Sequence, residues 1–76
     1  MTLRLIISDN CEACKRAQSL LELIKANYPF LNIETVHINS LRNKKIFITP
    51  ALLIDDKLFS YGDIDKNRLL KKINKV

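Results

Sequence analysis

Leu3-Arg4-Leu5-Ile6-Ile7-Ser8 is a short, mostly apolar run closed by Asp9-Asn10, and its length suits a buried central strand better than a helix. From Cys14 onward the spacing changes. Ala17, Leu20, Leu21, Ile24 and Tyr28 recur at three- and four-residue steps, while Arg16, Gln18, Ser19, Glu22 and Lys25 fall on the other side, which predicts an amphipathic helix. That helix is expected to begin at Asn10 or Cys11, because Asn is a good N-cap, so that the cysteines occupy its first turn. It must end before Asn27-Tyr28-Pro29, because proline disfavours helical geometry in its predecessor. Asn32 to Ile38 is rich in β-branched residues and reads as a second strand. Strand, helix, strand implies a right-handed parallel crossover.

Ser40 to Phe47 is polar and basic, with Leu41 and Ile46 or Phe47 available to face inward; a short helix and an irregular connection fit it equally well. Pro50-Ala51-Leu52-Leu53-Ile54, then Asp55-Asp56, then Lys57-Leu58-Phe59-Ser60-Tyr61 has the form of an antiparallel hairpin with acidic turn residues. Gly62-Asp63 is expected to break the hairpin and cap a last helix. In that helix Ile64, Leu69, Leu70 and Ile73 face inward, and Lys66, Arg68, Lys71, Lys72 and Lys75 face water. The order is β-α-β-(α)-β-β-α, an α/β chain, and no repeat, low-complexity linker or domain boundary interrupts it, so residues 1–76 read as a single domain.

Composition agrees with a folded domain: of 76 residues, 47% are hydrophobic and 28% charged, with one Gly and two Pro. The apolar stretch Leu5 to Ile7 is far shorter than a signal-peptide core or a membrane span, so a soluble, cytoplasmic protein with no membrane association is expected. Net charge is +5, and the excess lies wholly in residues 39–76. In residues 1–38, Arg4, Lys15, Arg16 and Lys25 are balanced by Asp9, Glu12, Glu22 and Glu34. A basic half attracts an acidic partner, glutathione or nucleic acid, or is simply a solvated surface.

Two cysteines are too few for a disulfide framework, and the pair Cys11-Glu12-Ala13-Cys14 has the C-x-x-C spacing of redox or metal sites. Disulfide exchange needs a thiolate, and the unpaired N–H groups and positive dipole end of a helix N-terminus favour one. Cys11 falls at that place as the attacking thiol. Cys14, one turn on, is positioned to resolve the mixed disulfide. Glu12 opposes thiolate formation, and Lys15 and Arg16 offset it in part. A zinc site would need about two more ligands, yet the chain offers a single histidine, His37, and no second cysteine pair. No metal is expected, and His37 reads as a strand residue with a surface or packing role.

The cysteine pair after the first strand, Ile48-Thr49-Pro50-Ala51-Leu52-Leu53-Ile54, and Tyr61-Gly62-Asp63 before the last helix together resemble the thioredoxin-like superfamily, in particular its small thioredoxin and glutaredoxin members. The resemblance spans nearly the whole chain. It implies a three-layer fold with a four-stranded mixed sheet, and a thiol–disulfide oxidoreductase using Cys11 as nucleophile and Cys14 as resolving thiol. It also implies a cis Pro50 opposite the dithiol, with Thr49, Pro50, Gly62 and Asp63 lining the substrate groove. The cofactor is then no more than the redox-active disulfide. The partners implied are a protein or glutathione-type disulfide and a reductase, with the protein itself a monomer.

Departures from the family pattern are specific. Asn10 stands where thioredoxins place an aromatic, Glu12-Ala13 replaces Gly-Pro or Pro-Tyr, and Ile48-Thr49-Pro50 replaces the glutaredoxin Thr-Val-Pro. The stretches Ile48 to Leu52 and Tyr61 to Ile64 are also similar to KaiB-type clock proteins, thioredoxin relatives that bind partner proteins without a dithiol. That gives a non-catalytic partner-binding alternative. Nucleic-acid binding through Arg42, Lys44, Lys45 and the basic last helix lacks interleaved exposed aromatics or a docking motif and is not expected.

Overall fold

The computed structural model describes residues 1–40 and 48–74. Its elements are β1 (Thr2–Ile7), α1 (Glu12–Asn27), β2 (Asn32–His37), a 3-10 turn at Ile38–Ser40, β3 (Ala51–Ile54), β4 (Lys57–Tyr61) and α2 (Lys66–Asn74). The strands form one four-stranded sheet in the order β2-β1-β3-β4. β1 pairs parallel with β2 and antiparallel with β3, and β3 pairs antiparallel with β4. The expected mixed sheet and the β-α-β crossover are therefore present.

Alternation along the strands decides where the core lies. Leu3 and Leu5 of β1 and Leu52 and Ile54 of β3 point to one face, where they pack with Ala17, Leu21 and Ile24 of α1, Leu31, and Leu69 and Ile73 of α2. Both helices thus cover the same face. Ile6 and Ala51, paired across β1 and β3, are buried on the other face. The expected third layer and the Ser40 to Phe47 connection fall on residues 41–47, outside the described residues; Ser40 itself closes the 3-10 turn.

The turns follow from local chemistry. Asp55 and Asp56 both take positive φ, 49° and 67°, the signature of the type I′ hairpin turn that matches strand twist. Their carboxylates are put to use: Asp55 accepts from the Thr2 N–H at 2.9 Å, and Asp56 accepts from Arg4 at 3.0 Å. In the hairpin, Leu52 pairs with Ser60 and Leu53 with Leu58, which leaves Phe59 as a bulge. The bulge lets Phe59 pack on the core, where the Arg68 guanidinium stacks 4.5 Å from its ring centroid.

Two expected helix starts need correction. Asn10 does not cap α1. It turns through the left-handed region at φ 53°, which Asn tolerates, and passes the N-cap position to Cys11. Gly62-Asp63 does not cap α2 either. Asp65 does so, its Oδ1 accepting from the Arg68 N–H at 3.2 Å and its carbonyl from the Leu69 N–H at 3.0 Å. Gly62 and Asp63 are held elsewhere, as described below.

Candidate functional site

The parallel pairing of β1 and β2 brings Ile7 opposite His37, so the loops leaving both strands emerge at one end of the sheet. β3 begins and β4 ends at that same end, because both run antiparallel to their neighbours. Four short segments meet there: Ser8 to Cys11, His37 to Ser40, Ile48 to Pro50, and Tyr61 to Asp63.

Cys11 sits at the N-cap in an extended conformation (φ −117°, ψ 102°), and its Sγ accepts a hydrogen bond from the Cys14 N–H at 3.1 Å. A cap sulfur receiving a helix N–H is in the environment that stabilises a thiolate. Cys11 and Cys14 are joined as a disulfide, with Cα atoms 5.2 Å apart. The two sulfurs differ in access. Cys14 is 2% exposed and belongs to the inward face of α1, whereas Cys11 is half-buried. Glu12 is exposed in the first turn and pairs with Lys15 at 3.4 Å.

Three side-chain links fasten the cysteine-bearing segment to its neighbours. Ser8 Oγ and Thr49 Oγ1 share a hydrogen bond at 2.5 Å, which ties the approach to Cys11 to the residue before Pro50. The Thr49–Pro50 peptide bond is cis and Pro50 is fully buried. Pro50 in turn accepts from the Gly62 N–H at 2.7 Å. Gly62 has φ +73° with open space where a Cβ would stand, so glycine is required by backbone conformation and not by crowding.

The second link is Arg16 to Asp63, two parallel bonds of 3.0 and 3.2 Å in fork-to-fork geometry. It closes the Gly62-Asp63 bend onto α1. The hydrogen bond from Arg16, helped by its charge and opposed by partial desolvation, holds the Asp63 carboxyl below its ordinary range. The hydrogen bond to Asp63 and the negative charge there raise Arg16 in turn. A depressed folded pKa means that the link contributes stability above the ordinary carboxylate range and loses it as pH falls through the folded pKa. Asp63→Asn is therefore expected to lower the urea midpoint slightly at neutral pH, with the difference from the parent shrinking to zero on acidification. Paired denaturation curves across pH check this.

The third link joins Asp9 and His37, with Oδ1 and Nε2 3.1 Å apart. The Asn39 N–H donates to His37 Nδ1 at 3.1 Å, so Nδ1 acts as acceptor and the Nε2–H donates to the Asp9 carboxylate. Beside these links Ile48 is 57% and Tyr61 41% exposed, apolar surface flanking Pro50 and Gly62.

The residues singled out from sequence thus occupy one end of the sheet: Cys11 and Cys14 at the start of α1, Thr49 and Pro50 before β3, Gly62 and Asp63 after β4. The sequence points to none of Ser8, Asp9 and His37 as parts of a site, and to Arg16 only as a charge offsetting Glu12. For His37 a signal existed, because parallel strands end on the same side. Among the described residues, no group of three or more His, Cys, Asp or Glu is placed to hold a metal ion, and no helix is long and apolar enough to cross a membrane.

Thioredoxin 1 from Thermosipho africanus superposes with a TM-score of 0.75 at 18% identity, covering 99% of this chain and 92% of that one. Mitochondrial thioredoxin 3 from Saccharomyces cerevisiae, in its oxidised form, gives 0.69 at 18% identity, covering 99% and 77%. The germline-specific thioredoxin Deadhead from Drosophila melanogaster gives 0.70 at 13% identity, covering 99% and 79%. At these identities the likeness is one of fold. No curated protein sequence is significantly similar to this chain. The sequence profile of the thioredoxin domain, however, matches residues 1–75, and the chain belongs to that family.

Proposed function

We propose that this protein is a thiol–disulfide oxidoreductase that works through Cys11 and Cys14. The observation that carries the reading is the asymmetric pair at the helix start: Cys11 accessible and accepting a helix N–H, Cys14 buried one turn behind it. In the reduced protein the Cys11 thiolate attacks one sulfur of a substrate disulfide. A mixed disulfide forms and the other substrate sulfur leaves as a thiolate. Cys14, deprotonated, then attacks Cys11 Sγ and releases the second substrate thiolate. The substrate has gained two electrons and the protein holds the Cys11–Cys14 disulfide, which a dithiol donor reduces in the next cycle.

The substrate class is a protein or glutathione-type disulfide. Exposed Ile48 and Tyr61 beside Pro50 and Gly62 support an apolar segment flanking the reacting cysteine of a protein substrate. Pro50, Thr49 and Gly62 form the adjoining wall, and the Arg16–Asp63 link holds that wall to α1. The protein acts as a cytoplasmic monomer in this reading. The KaiB-type partner-binding alternative is not favoured, since the matched family is that of thioredoxin domains and the two cysteines are brought together as a pair.

The test is a redox titration in glutathione buffers, read as the mass shift of alkylated thiols. The expected result is a two-electron transition between dithiol and disulfide, with Cys11 modified faster than Cys14 in the reduced protein. Slow, equal reaction of both thiols, with no oxidised form accumulating, rejects the reading. The same titration gives the reduction potential and so separates a reductant from an oxidant.

A further inference from the structure

In the strand order β2-β1-β3-β4, β4 is an outer strand, and among the described residues β3 is its single strand neighbour. An outer strand presents backbone N–H and C=O groups to whatever lies beside it. Strand alternation gives this edge two unlike sides. Lys57 stands opposite Ile54 on the side that the helices cover, whereas Leu58, opposite Leu53, is 49% exposed on the other.

The helix-covered side of the edge is basic. Lys57 at the start of β4 and Lys72 in the last turn of α2 line one open cavity with Ile54, Leu58 and Phe59. The Arg68 guanidinium lies 4.5 Å over the Phe59 ring. Among the described residues, none of these three cations has a carboxylate within ion-pair distance. The acids nearest in sequence are engaged elsewhere: Asp55 accepts from the Thr2 N–H, Asp56 from Arg4, Asp63 from Arg16 and Asp65 from the Arg68 N–H.

Local roles account for part of this charge. Lys72 complements the C-terminal end of the α2 dipole, and a lysine on an outer strand keeps copies of a chain from pairing edge to edge. That second role implies its complement, because charges that repel another β4 attract an extended segment of opposite sign. Nucleic acid would meet the cations but has no peptide N–H and C=O groups to pair with the strand. The ring on which its bases would stack, Phe59, is covered by Arg68.

We infer that the β4 edge is a docking strand for an acidic, extended segment of a partner protein. The segment adds to the sheet beside β4, with carboxylates toward Lys57, Arg68 and Lys72 and apolar side chains toward Leu58. Main-chain bonds supply the pairing, and the alternation of acidic with apolar residues supplies the selectivity. Lys57 lies at the end of β4 remote from the dithiol, so this site is distinct from Cys11 and Cys14 and does not depend on their chemistry.

The test titrates the isotope-labelled, oxidised protein with a short peptide alternating Glu and Val, followed by amide NMR shifts at ~0.15 M salt. Shifts are expected to centre on β4 and on the Arg68 to Lys72 side of α2. Lys57→Glu and Lys72→Glu are each expected to weaken binding roughly three- to tenfold. Lys66→Glu, the same charge change on α2 but in the groove against α1, is expected to weaken it about twofold at most. All three lysines are exposed, so the variants keep the fold, which their own spectra verify. A peptide with Lys in place of Glu, and a Glu peptide N-methylated along its pairing edge, are expected not to bind.

No shift with the Glu peptide, shifts centred away from β4, or an equal loss in the Lys66 variant overturns the inference. Undiminished binding of the N-methylated peptide overturns it as well, since charge alone then holds the peptide. Tighter binding of an oligothymidylate than of the Glu peptide assigns this face to nucleic acid instead. The exchange reading is tested separately, by the redox titration.

Discussion

Cys14→Ser is expected to accumulate a mixed disulfide on Cys11, and Cys11→Ser to lose disulfide exchange altogether, although the two sulfurs lie one helical turn apart. Access separates them. Cys14 is 2% exposed and packed on the inward face of α1, so Cys11 is the sulfur a bulky disulfide is expected to reach. The environments differ as well. Cys11 Sγ at the cap accepts the Cys14 N–H at 3.1 Å, a bond that strengthens when the acceptor is ionised. With Cys11 replaced, the remaining thiol is buried.

With Cys14 replaced, the first step proceeds and the second has no nucleophile. In the proposed cycle resolution is intramolecular and expected to be fast, because a well-oriented internal group acts at an effective concentration no external thiol reaches. Incubating each variant with an insulin-type disulfide substrate and reading adduct mass distinguishes the two. Adducts on Cys11→Ser with none on Cys14→Ser would reverse the assigned roles.

The second large effect is on stability. Leu21→Ala is expected to cost about 3 kcal/mol and Leu23→Ala close to nothing, two positions apart on the same helix. Leu21 is 2% exposed among Leu3, Leu5 and Leu69, while Leu23 is 64% exposed. The first substitution removes buried methylenes and leaves a cavity. The second removes solvated ones and gains slightly from the better helix propensity of Ala.

A domain of this length has only about 4 to 11 kcal/mol in total, so Leu21→Ala removes a large share of it. The corresponding fall in melting temperature is on the order of 15 °C. Thermal denaturation of both variants in the oxidised state is the measurement. Equal losses would mean that α1 packs on a different face from the one described.

Local order along the chain was legible in the sequence because it rests on short-range physics. Periodicity placed α1 and its buried residues, since a 3.6-residue repeat maps directly onto one helix face. Pro29 marked where α1 must stop. Alternating apolar runs around Asp55-Asp56 marked the hairpin, and the C-x-x-C pair before an amphipathic helix marked the thiols. The errors were equally local: Asn10 and Asp63 have good capping chemistry, and sequence cannot tell which of several suitable side chains is free to cap.

Which of these groups meet depends on the packing of distant segments. Asp63 was unavailable as a cap because Arg16, 47 positions away, holds its carboxylate, and Ser8 finds Thr49 at 41 positions' separation. Such pairs have no local signature, because they depend on β1 lying between β2 and β3, with four segments meeting at one end of the sheet. His37 is the clearest case. Local pattern gives a strand histidine and a helix-borne dithiol. Only the parallel register of β1 and β2, which sets Ile7 beside His37, brought that histidine to the carboxylate two residues from Cys11.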